Sequence, residues 1–313
     1  MFIAAYIFGV RFDPSAYADI CAEHGIEMIE DYAQTFSGVK ESIGHEKAVV
    51  SMFSFGLIKV QTTLIGAVAV VRDKALFQEM DKVQSTYPVY SNADFSSKAK
   101  KALAAKALFG TKLGIRGFYE FAERFTANRE ELSVQFVRGF PADVAFLQKF
   151  RLQPSKVLLK FMMKRFQRFD QERFDRTSRY LRESQDRLAK AGFFIPGQDQ
   201  PKRNVWPFPI IVQNSDLFLS YMFTKGVIPY KSSTQCREVK AEGSEYQQCP
   251  NTRWLIDNTI YAPINRGISE KDQEILCKRM AEGYQQLLEY GQLVGAKFSD
   301  DPLTQKYVFK SRL

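Results

Sequence analysis

Cysteine and histidine are scarce in this sequence. Its 313 residues include four cysteines and two histidines. The cysteines lie far apart, and no two of them form a CxxC pair; they are Cys21, Cys236, Cys249 and Cys277. Zinc sites and disulfide frameworks need closely spaced sets of these residues. The sequence therefore predicts neither a metal site nor a disulfide scaffold, and it favours a reducing compartment.

Long apolar runs are missing as well. No run approaches the roughly 18 residues that span a bilayer, and the opening MFIAAYIFGV lacks the basic region and cleavage site of a signal peptide. We therefore expect a cytoplasmic protein. Residues 2–10 are apolar and strand-forming from the start, which predicts a buried strand with no element before it. This pattern indicates that an N-terminal part is missing.

Positive charge is the first distinctive feature that is present. Lys and Arg number 44 against 35 Asp and Glu, a net charge of +9, in a globular composition that is 45% hydrophobic. Such a field favours anionic partners, which include phosphorylated cofactors, nucleotides, nucleic acid and acidic lipid. Most of the surplus lies in residues 142–190, with 13 Lys or Arg against 6 Asp or Glu. No helix-turn-helix, RNP-type or zinc pattern occurs, so we expect no nucleic-acid partner.

Both ends of the chain have an α/β pattern. Residues 1–95 alternate short apolar runs with amphipathic stretches, which is typical of a parallel sheet covered by helices. Residues 191–313 predict a smaller α+β domain, in which Ser269 opens a long helix through a capping-box pattern. The predicted strands of the first part cover residues 4–10, 26–29, 48–55 and 66–71, and its predicted helices cover residues 14–23 and 73–83.

Residues 96–190 form a third segment, basic and rich in phenylalanine, with a helical pattern. Residues 144–169 interleave large apolar side chains with Lys and Arg. Three interpretations are open for residues 142–190: helices that pack on the sheet or at a dimer interface, a membrane-surface helix attracted to anionic lipid, or a site for a nucleotide or phosphorylated substrate. The predicted domains are thus residues 1–95, 96–190 and 191–313.

Two residues of the first segment are a candidate catalytic lysine and a candidate cofactor-binding carboxylate. Asp31 follows a predicted strand, and open α/β sheets bind ligands at the carboxyl ends of their parallel strands. Lys59 lies between two strand-forming stretches, where burial and nearby positive charge lower the pKa of a lysine and suit it to Schiff-base chemistry. A carboxylate that faces a protonated pyridine nitrogen is what pyridoxal phosphate requires from a protein.

The surrounding residues extend this pattern. They are IEDYAQ at 29–34, Gly38, SF at 54–55, Lys59, TT at 62–63 and GAV at 66–68. Together they resemble the DegT/DnrJ/StrS family of sugar aminotransferases, which are fold-type I enzymes dependent on pyridoxal 5'-phosphate. The resemblance is good over roughly residues 1–83 and holds only in outline over residues 191–313. It implies a fold-type I large domain that is incomplete at its N-terminus, a helical insertion and a small C-terminal α+β domain.

The resemblance also implies a role for each matching residue. Lys59 would bind the cofactor as a Schiff base and then shuttle a proton between substrate and cofactor. Asp31 would pair with the pyridinium nitrogen, and Gln34 would hydrogen-bond the phenolic oxygen. Ala33 would pack on a face of the ring, and Ser54 would hold the phosphate.

The function that the resemblance implies is transfer of an amino group from an amino-acid donor to a keto sugar, in particular a nucleotide-linked one. Arg203 and Trp206 stand where the family's C-terminal part closes over the site, so they are candidate substrate contacts; a core position for Trp206 and a surface position for Arg203 fit equally well. Because enzymes of this family share sites between subunits, a homodimer is expected.

Several departures from the family keep an alternative open. Gly56 stands where the family has histidine, and Leu64 or Ile65 stands at its acidic turn position. The family's N-terminal part, with its phosphate-binding loop and stacking aromatic, is missing. A truncated chain, a partner chain that supplies the missing part, and a degenerate protein all fit. The alternative function is a catalytically incomplete scaffold that binds a partner or, peripherally, a membrane through residues 142–190.

Overall fold

The computed structural model describes most of the chain in a few blocks. They are residues 1–39, 43–111, 114, 117, 150–231, 250–291, 297–298 and 307–308. Residues 142–149 of the basic segment, together with Cys236 and Cys249, lie outside the described residues. Within these blocks, no helix is both long and apolar enough to cross a bilayer.

The chain divides into two units. Unit 1 consists of Met1–Tyr6 and Asp13–Asp170, and unit 2 consists of Ile7–Phe12 and Gln171–Leu313. The boundary at Asp170 falls inside the basic segment. The division into residues 1–95, 96–190 and 191–313 stays a prediction.

A four-stranded mixed sheet is the centre of unit 1. It consists of β1 (Phe2–Ala5), β3 (Met28–Asp31), β4 (Val50–Ser54) and β5 (Ala67–Val71), in the spatial order β1-β3-β4-β5, while β2 (Val10–Arg11) belongs to unit 2. The strands β1, β3 and β4 are parallel, and β5 is antiparallel to β4. Helix α1 (Ser15–Glu23) joins the first two parallel strands, and α2 (Lys74–Ser85) follows β5. The predicted α/β class is confirmed.

The two faces of this sheet carry different residues. Met28 is buried in a small core with Ala18 and Cys21 of α1 and with Ala48. Because side chains alternate along a strand, Glu30 shares this buried face and Asp31 lies on the other face. Asp31 pairs with Met52 in β4, so Ser54 lies on the same face as Asp31.

The predicted strand over residues 4–10 is wrong as a single element. β1 ends at Ala5, a 3-10 turn covers Ile7–Gly9, and β2 then pairs antiparallel with β6 (Lys202–Arg203) in unit 2. Gly9 has φ +76°, and a Cβ atom there would lie 2.8 Å from the backbone nitrogen of Val205. A residue with a side chain could not make this approach, so glycine is needed where the chain passes from one unit to the other.

Two helices of unit 1 lie mostly within residues 96–190, the predicted basic and phenylalanine-rich segment. Helix α3 (Asn92–Phe109) contacts α4 (Lys156–Gln167) through Phe95 and Phe161, whose ring centroids are 5.7 Å apart. Leu158 and Met162 of α4 are buried. The three lysines of α4 are exposed, which fits the helix-packing and the membrane-surface interpretations alike; they are Lys156, Lys160 and Lys164.

Unit 2 has its own core between helices and a short antiparallel pair of strands. Its elements are α5 (Gln171–Lys190), β6, β7 (Pro209–Ile211), α6 (Ser215–Thr224), α7 (Pro250–Asn258), β8 (Thr259–Tyr261), α8 (Glu270–Glu289) and the pair β9 (Lys297–Phe298) and β10 (Tyr307–Val308). Leu181, Ile210, Phe218 and Met280 are completely buried in its core. The backbone nitrogen of Asp272 donates to the Ser269 hydroxyl at the start of α8, so the predicted cap is confirmed.

Candidate active site

Asp31 is positioned by the end of strand β3. It is partly exposed, and its Oδ1 accepts a hydrogen bond of 2.8 Å from the backbone nitrogen of Ala33. Its backbone oxygen accepts from the nitrogen of Tyr6 at 3.1 Å, which ties the strand end to the residue after β1. The carboxylate is therefore held at the carboxyl end of the parallel strands, where sequence analysis places it.

Lys59 lies in the loop of residues 55–66 that connects β4 and β5. The base of this loop is closed by two backbone hydrogen bonds, from Phe55 to Gly66 at 2.9 Å and from Thr63 to Phe55 at 2.8 Å. Lys59 is partly buried. Burial lowers the pKa of its amine, while the negative charge of Asp31 acts in the opposite direction and does not cancel the shift. The two residues are thus close enough for their charges to interact.

The other predicted cofactor contacts lie at the ends of β3 and β4. Ser54 ends β4 on the same face as Asp31, and Ala33 and Gln34 are partly exposed in the turn after β3. The predicted Thr-rich turn serves the loop itself, since Thr63 Oγ1 donates to the Ile65 oxygen at 2.8 Å.

This geometry gives a signed prediction for Asp31→Asn. Asparagine keeps an oxygen for the Ala33 nitrogen but removes the charge that stabilises protonated Lys59. The pKa of Lys59 is therefore expected to fall further, so that acetylation of Lys59 by acetic anhydride reaches its half-maximal rate at a lower pH. Peptide mass spectrometry of the cofactor-free chain over a pH series measures this midpoint. The control is Asp19→Asn, which removes the carboxylate that pairs with Lys47 and should leave the Lys59 midpoint unchanged. An unchanged Lys59 midpoint in Asp31→Asn would contradict the geometry.

Glu30, next to Asp31, has a different environment. It is fully buried. Its carboxylate accepts four hydrogen bonds, from Tyr6 and Tyr32 hydroxyls at 2.8 Å, and from the Ser51 hydroxyl and the His45 backbone nitrogen at 2.7 Å. Burial by itself raises the pKa of Glu30, but these hydrogen bonds outweigh burial and hold the pKa below its usual range. Glu30 is a structural carboxylate, which only the alternation of strand residues signals in the sequence.

Arg203 and Trp206 lie in unit 2. Arg203 is mostly buried, with 11% of its side chain exposed, and its Nη2 is 2.9 Å from Asp186 Oδ1. The backbone nitrogen of Trp206 donates to the Phe8 oxygen at 3.1 Å, and a cis peptide bond joins Trp206 to Pro207. Their predicted role as substrate contacts stays a prediction.

Sequence reasoning missed a second arginine in this part of unit 2. Arg266 stacks over the Phe174 ring at 4.1 Å, and burial, reinforced by the charge of Arg182, lowers its pKa to about 10. Its guanidinium donates to four neutral acceptors, which are Phe174 O at 3.1 Å, Thr177 Oγ1 at 2.9 Å, Ser178 Oγ at 2.8 Å and Asn204 O at 2.7 Å. Arg266 therefore fastens α5 to the backbone just before Trp206.

Comparison with known proteins supports the resemblance found in the sequence. Residues 2–115 match the profile of the DegT/DnrJ/EryC1/StrS aminotransferase family. The predicted resemblance is thereby confirmed over this part of the chain. No curated protein matches the chain.

Solved structures share the fold over almost the whole chain. An aminotransferase, TlmJ from Streptoalloteichus hindustanus, is 17% identical with a TM-score of 0.58, covering 91% of this chain and 66% of its own. PseC from Helicobacter pylori, an aminotransferase in pseudoaminic acid biosynthesis, is 12% identical with a TM-score of 0.57. The match covers 91% of this chain and 66% of PseC. DesI, solved in the presence of its TDP-sugar product, is 16% identical with a TM-score of 0.52. The match covers 92% of this chain and 64% of DesI. The chain thus has an aminotransferase fold and spans about two thirds of the length of these proteins.

Proposed function

We propose that this chain carries the lysine-bearing part of a pyridoxal-phosphate-dependent aminotransferase that moves an amino group from an amino acid to a keto sugar. The observation that carries the proposal is that Lys59 lies close enough to Asp31 for their charges to interact. A partly buried amine with a lowered pKa lies within reach of the charge of a carboxylate at a sheet edge. Both residues fall inside the part of the chain that matches the aminotransferase family.

The chemistry of the side chains fits pyridoxal phosphate. Lys59 offers an amine whose lowered pKa favours the neutral, nucleophilic form that an aldehyde requires. Asp31 offers a carboxylate for a pyridinium nitrogen, and Ser54, on the same sheet face, offers a hydroxyl for a phosphate. Ala33 and Gln34 follow Asp31 and offer a small apolar contact and an amide. These residues would hold the cofactor.

Each residue then has a physical task. When bound, the cofactor supplies a cationic ring that stabilises negative charge on the substrate carbon. Asp31 keeps that ring protonated through its negative charge, and the Ala33 nitrogen fixes the orientation of the carboxylate. Lys59 Nζ, whose pKa is lowered by burial, accepts a proton and returns it.

The names of similar proteins support a sugar as the acceptor. DesI was solved with a TDP-sugar product, and PseC takes part in pseudoaminic acid biosynthesis. The net charge of +9 suits a nucleotide-linked, anionic substrate. Arg203 and Trp206 are proposed to contact it, and a homodimer is the proposed assembly. A cytoplasmic location and the three-domain division belong to the same proposal.

Borohydride trapping tests the proposal directly. The purified chain is mixed with pyridoxal phosphate and reduced, and the modified peptides are mapped by mass. We expect one dominant pyridoxyl adduct, on Lys59, because its amine combines a lowered pKa with a nearby carboxylate, Asp31, that can serve the pyridinium ring. Labelling spread over exposed lysines such as Lys74 and Lys82 would contradict the proposal.

A further inference from the structure

Helix α4 packs against the loop that carries Lys59. Phe55, at the start of the loop, packs against Phe166 of α4 with ring centroids 4.8 Å apart and an interplanar angle of 66°. At the other end of the loop, a Cβ atom added to Gly66 would lie 3.4 Å from Met162 Sδ. The helix therefore contacts both ends of the segment in which Lys59 lies.

Arg165 of α4 makes a reciprocal set of hydrogen bonds with the residues just after Lys59. Its Nε donates to the Thr62 oxygen at 3.1 Å, and its Nη2 donates to Gln61 Oε1 at 3.3 Å. In return, Gln61 Nε2 donates to the Arg165 backbone oxygen at 2.9 Å. Gln61 is buried, with 7% of its surface exposed. A guanidinium is planar and presents its donors in a fixed fork, so these contacts fix both the position and the direction of the loop.

These contacts lie very close to Lys59 in the chain. Gln61 and Thr62 follow it by two and three residues, so any slack at these positions moves the lysine directly. The environment of Lys59 depends on burial and on the nearby Asp31 carboxylate, and both depend on where the loop holds the side chain. A loop held by its two ends alone would let the amine sample bulk water.

We propose that Arg165 is the positioning residue for Lys59, holding the lysine loop against α4 through Gln61 and Thr62. Arg165 is exposed, as the lysines of α4 are, and its hydrogen bonds to Gln61 and Thr62 give it this separate role. The effect of this positioning on catalysis rests on the proposed function. Its physical content, the placement of Lys59, is measurable without a cofactor.

The test is competitive acetylation of the cofactor-free chain with acetic anhydride over a pH series, with Lys59 and the exposed Lys82 quantified in the same sample. In Arg165→Ala, we expect the half-maximal pH of Lys59 acetylation to rise, because the freed loop lets water reach the amine, while the midpoint of Lys82 should not change. Arg165→Lys should show the same rise, since an ammonium group lacks the fork that reaches Thr62 and Gln61 together. Lys164→Ala, which removes an exposed cation one residue earlier, should leave the midpoint unchanged.

The outcomes separate this inference from the proposed function. An unchanged Lys59 midpoint in folded Arg165→Lys or Arg165→Ala would overturn it, whether or not Lys59 binds pyridoxal phosphate. An equal shift in Lys164→Ala would also overturn it, because the effect would then be the general charge of the helix. If Arg165→Ala does not fold, as judged by circular dichroism, Arg165→Lys and Gln61→Ala carry the test, and both must shift the midpoint. Failure of borohydride trapping in the wild type, with the midpoint shifts present, would remove the proposed function alone.

Discussion

Replacing Lys59 with alanine is expected to abolish the borohydride-stable pyridoxyl adduct and to lower amino-group transfer at least about 100-fold. Alanine removes both the amine that binds the cofactor and the group that moves the proton, so no residual pathway of comparable rate remains. Removal of a partly buried cation also leaves the fold intact, since burial already disfavours the charged form of Lys59. The adduct is read by peptide mass and by the loss of cofactor absorbance, and transfer is read as conversion of a keto sugar in the presence of an amino-acid donor.

Two controls make this result specific. Lys82→Ala removes an exposed lysine of α2 and should leave adduct and transfer at the wild-type level. Reversal of charge at Lys160 and Lys164, on the exposed side of α4, tests the alternative scaffold function. If these reversals abolish co-sedimentation with anionic liposomes while Lys59→Ala changes neither adduct nor transfer, the scaffold interpretation replaces the enzyme.

Local signals account for most of what the sequence predicted correctly. The cap at Ser269 depends on residues three positions apart, and the start of α8 is confirmed. The hydrophobic pattern placed three of the four strands of the unit 1 sheet, β3, β4 and β5, within two residues of their observed bounds. Lys59 was expected between two strands because the flanking stretches are apolar, and the structure has it in the loop between β4 and β5.

Contacts between residues far apart in sequence account for the errors. Residues 4–10 form one apolar run, yet a turn at Ile7–Gly9 interrupts it and its last residue, Val10, pairs with Arg203, a partner that no local pattern reveals. Arg165 is exposed like the lysines near it, yet it hydrogen-bonds to Thr62 and Gln61, about a hundred residues earlier, and the sequence pattern does not indicate this contact. A periodic pattern indicates which side of a helix is buried and leaves open which loop that side contacts.

The different environments of the neighbours Glu30 and Asp31 also could not be predicted from the sequence. Both residues are acidic and lie at the end of the same strand, so residue type alone does not distinguish their roles. The alternation of strand residues sends Glu30 towards two tyrosines and a serine and leaves Asp31 on the face of Ser54 and within reach of the Lys59 charge. Which face is the buried one was decided by the packing of α1.

Glu30→Gln is expected to lower the free energy of unfolding by about 3 kcal/mol at neutral pH, since hydrogen bonds to a charged group contribute about 1.5–3 kcal/mol each and a buried polar group left unpaired has a similar cost. Glutamine has one oxygen where glutamate has two, and its amide nitrogen would face donors from Ser51 and the His45 backbone, or from the two tyrosines. Urea unfolding followed by circular dichroism measures the loss. Glu27→Gln, an exposed carboxylate one residue before β3, is the matched control and should stay within about 0.5 kcal/mol of the wild type.

The pH dependence of this difference identifies the ionised carboxylate as its source. The pKa of Glu30 in the folded chain lies below its unfolded value. Its contribution is therefore complete above the unfolded pKa of about 4.3 and is lost as the pH falls through the folded pKa. The gap between wild type and Glu30→Gln should accordingly be constant from pH 6 to 8 and narrow on acidification. A gap that stays the same at low pH would mean that the shape of the side chain, and not its charge, organises Tyr6, Tyr32 and Ser51 beneath the candidate site.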